Sequence, residues 1–173
     1  MFSRVLTPRG QALFVAAGLA LVGLAAPLAL DPVPRLVWNA SASAPIGLWR
    51  ITPGAPVSVG DSVLVEPPPA ARHLAAQRHY LPANVPMIKT IAAVSGDKVC
   101  ARETAITIDD RLAAVRRLAD RQGRKLPWWR GCLRLSDGQV MLLNSAPDSF
   151  DSRYFGPVEK TAIIGKATPL WLR

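Results

Sequence analysis

The sequence predicts a mainly β domain behind a single N-terminal membrane-spanning helix. Three observations carry that expectation: an uncharged apolar run near the N-terminus, a succession of short apolar stretches cut by turn residues, and little helical periodicity after residue 31. The apolar run is the first element. No charged residue lies between Arg9 and Asp31, and residues 12–30 read ALFVAAGLALVGLAAPLAL. At a rise of ~1.5 Å per residue that stretch reaches ~28 Å, close to the ~30 Å of a bilayer core. Arg4 and Arg9 precede it, so the positive-inside rule keeps residues 1–11 in the cytoplasm. Residues 12–30 are then a transmembrane anchor in the inner membrane, and residues 31–173 form a periplasmic domain. A cleaved signal peptide is the alternative. It fits less well, because its apolar core usually spans ~7–15 residues and Leu28 and Leu30 are bulky for a cleavage site.

The remaining elements follow in order. Residues 31–40, DPVPRLVWNA, read as a proline-broken exit from the membrane. Trp38 and Trp49 suit either the membrane interface or a core, and Asn39-Ala40-Ser41 matches a glycosylation sequon. Residues 57–69 read as a turn into a short strand closed by prolines, and residues 70–81 as a short helix. Residues 85–101 give an apolar strand, a Ser-Gly-Asp turn and a second strand; residues 104–115 give two strands around an Asp-Asp turn. A charged loop fills 116–131. Strands are expected again over 138–144 and 161–173.

The formal net charge of +9 suits solubility and attraction to anionic membrane lipid. Nucleic-acid binding is disfavoured, since the domain faces away from the cytoplasm and no nucleic-acid-binding pattern is present. Cys100 and Cys132 are the two cysteines. In an oxidising compartment they suggest one disulfide, with two free buried thiols as the alternative. They supply no metal-site spacing with His73 or His79, which are read as surface residues, and neither a metal nor a cofactor is expected.

The stretch SASAPIGLW, residues 41–49, places Ser41 and Ser43 ahead of a proline, a glycine and a tryptophan, as on a shaped turn. A serine hydroxyl needs a base to act as a nucleophile. Arginine keeps its proton, which leaves carboxylates and five lysines. Lys89 differs from the other lysines: between Tyr80 and Gly96 it is the sole charged residue. Strand alternation sets it beside Met87, Ile91 and Ala93, so burial should favour its neutral amine, a competent base. A lysine that snorkels its head out of a half-buried strand is the alternative.

Three stretches together resemble the main boxes of bacterial type I signal peptidases: SASAPIGLW, MIKTIAAVSGDKV and SFDSRYFGPV. The first is most similar to the TraF-type branch of conjugative-transfer signal peptidases, through Ser43, Pro45, Gly47, Leu48 and Trp49. It lacks the Ser-Met-x-Pro spacing of the general enzymes. The resemblance implies a signal-peptidase-like β-strand catalytic domain, with Ser43 as nucleophile and Lys89 as general base. It further implies Ser41 as a hydroxyl that helps bind the oxyanion, Ser149 as the residue orienting the lysine amine, and Asp151 and Arg153 as a pair supporting the site. Without the resemblance, DSFDSRYFGP reads as a β-turn with a surface ion pair. The implied substrate is a preprotein or pilin precursor with small residues before the cut. In some conjugative relatives the pilin's own amino terminus resolves the acyl-enzyme and gives a cyclic product.

Two other readings come from different classes. Ser95 and Lys98 fit the Ser-x-x-Lys pattern of penicillin-recognising acyltransferases, but they lie at a Gly-Asp turn and the partner motifs are absent. A non-catalytic, membrane-anchored assembly protein of a secretion or conjugation apparatus would tolerate loss of Ser43.

Overall fold

Residues 7–30 and 33–173 are described by a computed structural model. Arg4 and Asp31, which the anchor reading used, lie outside the described residues. Helix α1 runs Pro8–Leu30, starting before the expected residue 12. Its start is local chemistry. The Thr7 hydroxyl accepts from the Gly10 N–H at 3.3 Å, and Pro8 opens the first turn, where a missing N–H costs nothing. The segment Pro8–Ala26 is long and apolar enough to cross a membrane. Residues Met1–Val33 and Pro34–Arg173 form separate compact units.

The second unit is built on two antiparallel sheets. The larger joins β1 (Leu36–Asn39), β2 (Gly47–Thr52), β11 (Ile163–Leu172), β3 (Ser62–Val65), β4 (Met87–Ala93), β9 (Gln139–Leu143) and β10 (Val158–Glu159), in that spatial order. The smaller joins β7 (Arg111–Val115), β6 (Ala105–Ile108), β5 (Lys98–Arg102) and β8 (Gly131–Arg134). Helix α2 (Pro69–Gln77) carries the expected short helix, and α3 (Ser152–Phe155) is a single turn. The mainly β expectation holds. Asp109 and Asp110 both take positive φ, 47° and 65°, the conformation that a two-residue hairpin turn between β6 and β7 requires.

The structure departs from the sequence reading at β1, at β8 and at the orientation of Ala93. β1 lies where a broken exit segment was expected, because its partner β2 supplies the ladder: Leu36 pairs with Arg50 and Asn39 with Gly47. β8 begins at the end of the expected 116–131 loop, where no strand was expected; its side chains are exposed, and it is a strand because it pairs with β5. Ala93 does not share the face of Lys89. A register irregularity between Ile91 and Ala93 turns Ala93 into the cluster with Met141 and Leu143, whereas Ile91 packs with Val63, Val65 and Leu142. Trp49 is buried with Ile51, Leu64 and Ile88, so it is a core residue and not an interfacial one. Trp38 is half exposed, with its ring 5.9 Å from that of Trp171.

Candidate active site

The serine turn, residues 40–46, links β1 to β2. Gly47 closes it with φ 148°, and a Cβ there would sit 2.1 Å from the Trp171 carbonyl oxygen. Only glycine fits that approach of β2 to β11, which gives the glycine of the Ser-x-Pro-x-Gly pattern a physical reason. Inside the turn the Ser41 and Ser43 hydroxyls lie 3.0 Å apart, and the Ser43 N–H donates to Ser41 Oγ at 3.3 Å. The buried Asn39 side chain braces the turn from within. Its amide donates to the carbonyls of Ser41, Ala44 and Pro45 at 2.9, 3.0 and 3.0 Å, and its oxygen accepts from the Ser41 N–H. With its amide buried and engaged, Asn39 is not a glycosylation acceptor, so the sequon reading fails on access.

Lys89 comes from the middle of β4, opposite Val63 of β3, and its side chain is 2 % exposed. Snorkelling to solvent does not occur. Its Nζ lies 3.4 Å from Ser43 Oγ and 2.9 Å from Ser149 Oγ. The first distance is long for a hydrogen bond to a nucleophile, as is common before substrate binds. Burial lowers the amine from its ordinary value of 10.5 to about 8; the Asp151 carboxylate opposes that shift and the Arg153 guanidinium adds to it.

Asp151 and Arg153 form a buried pair, 0 % and 2 % exposed, and not a surface one. Arg153 Nε donates to Asp151 Oδ1 at 2.8 Å and its Nη2 to Oδ2 at 3.1 Å, a bidentate arrangement. Asp151 also caps α3, accepting the Arg153 N–H at 3.1 Å. The pair reaches Lys89 through Asn144. Asp151 Oδ2 accepts the Asn144 N–H at 3.1 Å, and Arg153 Nη2 donates to the Asn144 carbonyl at 2.6 Å. The Asn144 side chain then holds β4 on both sides of Lys89, accepting from the Thr90 N–H and donating to the Ile88 carbonyl. Sequence reasoning missed Asn39 and Asn144. The only signal was position, one at the end of a short strand and the other in MLLNS, and neither residue type announces a brace.

Ser43 and Lys89 lie at a cleft of about 510 Å³ whose apolar wall includes Met87, Ile88, Phe150 and Tyr154. Its rim carries the loop after β7, tied down by Asp120, which accepts from Tyr80 Oη and from Arg124 Nε at 2.7 Å. His73 and His79 are exposed; His79 stands on the rim. Ser95 donates to Asp137 at 2.8 Å while Lys98 pairs with Asp110 at 2.9 Å, so these two residues do not form a Ser-x-x-Lys pair. Cys100 and Cys132 are directly opposed on β5 and β8 and are bonded, S–S 2.06 Å. Among the described residues no three His, Cys, Asp or Glu side chains converge as a metal site.

A family model described as Signal peptidase, peptidase S26, matches residues 7–172. The chain belongs to the S26 signal peptidase family. Its relatives include the probable conjugal transfer protein TraF of Sinorhizobium fredii, 36% identical over 139 residues, covering 75% of this chain and 73% of that protein. The conjugal transfer protein TraF of Agrobacterium fabrum is 33% identical over 143 residues, covering 77% and 80%. A plasmid transfer protein TraF of Escherichia coli is 31% identical over 162 residues, covering 86% and 90%. A crystal structure of signal peptidase I from Enterococcus faecalis aligns at TM-score 0.39 and 19% identity, covering 66% of this chain and 98% of that one. The likeness to the TraF-type branch, read from Ser43-x-Pro45-x-Gly47, is thus matched by relatives that bear the name. In this S26-family chain the residues of the three boxes, distant in sequence, converge on one cleft.

Proposed function

We propose that this chain is a membrane-anchored serine endopeptidase with a Ser43/Lys89 dyad. It removes signal or pro-segments from exported preproteins, with pilin and conjugative-transfer precursors as the substrates that the resemblance to the TraF-type branch implies. The observation that carries the reading is the Lys89 amine, buried, with its pKa lowered to about 8, and 3.4 Å from the Ser43 hydroxyl. In the reaction Ser43 Oγ bonds to the scissile carbonyl carbon while its proton passes to the neutral Lys89 Nζ. The carbonyl electron pair collects on oxygen, where the Ser43 N–H and the Ser41 hydroxyl, 3.3 Å apart, both turn to it. Collapse breaks the C–N bond, and Lys89 returns the proton to the leaving amine. Water then attacks the acyl-enzyme, losing a proton to Lys89, and Ser43 leaves with it. Ser149, 2.9 Å from Nζ, fixes the direction of the amine throughout.

Helix α1 is the anchor in this reading, with the N-terminus in the cytoplasm and the catalytic domain in the periplasm. The experiment is cleavage of a preprotein with alanines before the cut, and of conjugative pilin precursors, by the full chain in detergent. Products are read by mass spectrometry. Ser43→Ala, Lys89→Ala and Lys89→Arg should all abolish cleavage, because guanidinium cannot accept a proton. Cleavage surviving in Ser43→Ala would exclude this mechanism, and DNA transfer sustained by that variant in cells would favour the assembly-protein reading.

A further inference from the structure

We infer that Asn39 is a positioning residue for the proposed reaction, setting the Ser43 hydroxyl against Lys89 by holding the turn that carries it. The inference rests on the peptidase reading. Asn39 sits at the end of β1 opposite Gly47, so it stands at the base of the 40–46 turn. Its side chain is buried, and its two N–H groups are shared among the carbonyls of Ser41, Ala44 and Pro45. Those carbonyls flank Ser43 on both sides. The Asn39 oxygen accepts the Ser41 N–H at 3.1 Å, and the Trp49 indole adds a second donor to the Pro45 carbonyl at 3.1 Å. No strand ladder holds residues 40–46; a turn bond from the Ala44 N–H to the Ser41 carbonyl at 3.4 Å and the Arg173 N–H on the Ile46 carbonyl at 2.9 Å tie its ends, and the Asn39 amide is the one side chain that engages the backbone on both sides of Ser43. A side chain that both accepts and donates is required, and asparagine has that pair of functions at the right length.

The arrangement has a sharp chemical edit. Asn39→Asp keeps the volume and the acceptor but removes both donors, and it aims a carboxylate at three carbonyl oxygens. The full chain in detergent is assayed with an internally quenched alanine-rich peptide. Competent sites are counted with an alanyl boronic acid, which adds to an activated serine hydroxyl. Asn39→Asp should lower kcat per competent site by about 10- to 100-fold, the range set by loss of reactant alignment. KM should change less than about threefold, and the pH midpoint belonging to Lys89 should stay in place in the uncharged variant Asn39→Ser, whereas an ionised carboxylate at position 39 moves it upward. A merely structural role would lower the number of competent sites and leave kcat per site untouched; that result overturns the inference. If Asn39→Asp does not fold, Asn39→Ser, too short to span the turn, is read in the same way with the same expected loss. A wild-type chain that neither cleaves nor binds the boronate, like Ser43→Ala, refutes the peptidase reading itself. An active wild type with an unimpaired Asn39 variant refutes only the positioning role.

Discussion

Replacing Lys89 with methionine should favour the folded state, relative to wild type, more at neutral pH than at high pH, while it abolishes activity. Methionine keeps the unbranched stem and removes the amine. The ordinary value for lysine is 10.5 and burial brings Lys89 to about 8. At 1.36 kcal/mol per pH unit, folding therefore works against roughly 3 kcal/mol to strip the proton or bury the charge at pH 7. The sign follows from proton counts. Between pH 8 and 10.5 the unfolded chain binds more protons at this lysine than the folded one, so wild-type stability rises with pH through that window. Below pH 8 the deficit is complete and constant. By pH 9.5 only about 1 kcal/mol of it remains. The substitution also strands the buried Ser149 hydroxyl, whose hydrogen-bond partner is Lys89, at a cost of ~1–3 kcal/mol. That offset does not depend on pH. The quantity to measure is thus the change in the stability gap between Lys89→Met and wild type, by urea unfolding in detergent followed by tryptophan fluorescence. The gap should move by about 2 kcal/mol in favour of wild type between pH 7 and 9.5. Wild-type cleavage should rise over the same approach, with a midpoint near 8. A gap that stays flat with pH would show that Lys89 titrates as an ordinary solvated lysine, and the argument for a neutral base would fall with it.

Other expected outcomes rest on separate parts of the structure. Arg153→Met leaves the Asp151 carboxylate buried and unpaired, and should cost about 3–5 kcal/mol in chemical denaturation. Reduction of the Cys100–Cys132 bond, 32 residues apart, should remove up to ~3–4 kcal/mol, and maleimide should label both thiols only after reduction. At Asp120 burial acts to raise the carboxyl, but Tyr80, the Arg124 backbone and side chain and the Gln122 N–H outweigh it and hold the carboxyl below its usual range. The stability this gives is complete above the ordinary value of 3.8 and fades as pH falls below it, so Asp120→Asn should flatten the acid limb of the stability curve. Ser41→Ala should lower the cleavage rate by about 10²–10³ while leaving it measurable, in contrast to Ser43→Ala, because it removes an oxyanion donor and not the nucleophile.

The residues that approach one another at the site were legible because their types are unusual for their surroundings. Lys89 is a lone charge in an apolar strand, and Ser43 lies in a run of proline and glycine. What holds them was not legible. β1 and β8 are strands because of partners on other segments; GCLR carries no strand pattern, and the β-forming Val37 and Trp38 of LVWN are too short a run after Pro32 and Pro34 to be read as one. The irregularity after Ile91 that redirects Ala93 has no signature in IAAVS. Asn39 and Asn144 act through hydrogen bonds to backbone, and the sequence does not state which backbone folds around them. Arg153 was open to a surface reading because ion pairs of that spacing are common on turns; only the packing of Ser149, Asp151 and Ser152, all 0 % exposed, shows it to be interior.

The buried pair also explains how an amine beside a carboxylate can still have its pKa lowered. An isolated Asp151 would pull the Lys89 proton on, which is the direction of its effect. Arg153 binds that carboxylate bidentately and contributes a field of opposite sign at the same place. The two act in opposite senses at Nζ, and burial is the largest influence. The pair therefore serves two purposes with one geometry. Its hydrogen bonds to Asn144 fix the strand that carries Lys89, and its near-zero net charge lets the apolar surroundings lower the amine. A carboxylate alone could have supplied the first purpose but would have undone the second. A purely apolar contact could not have reached the Asn144 N–H and carbonyl at all. The requirement for strand fixation without a net field is met by an ion pair closed on itself, which is why Asp151 and Arg153 lie on one short helical turn, two residues apart.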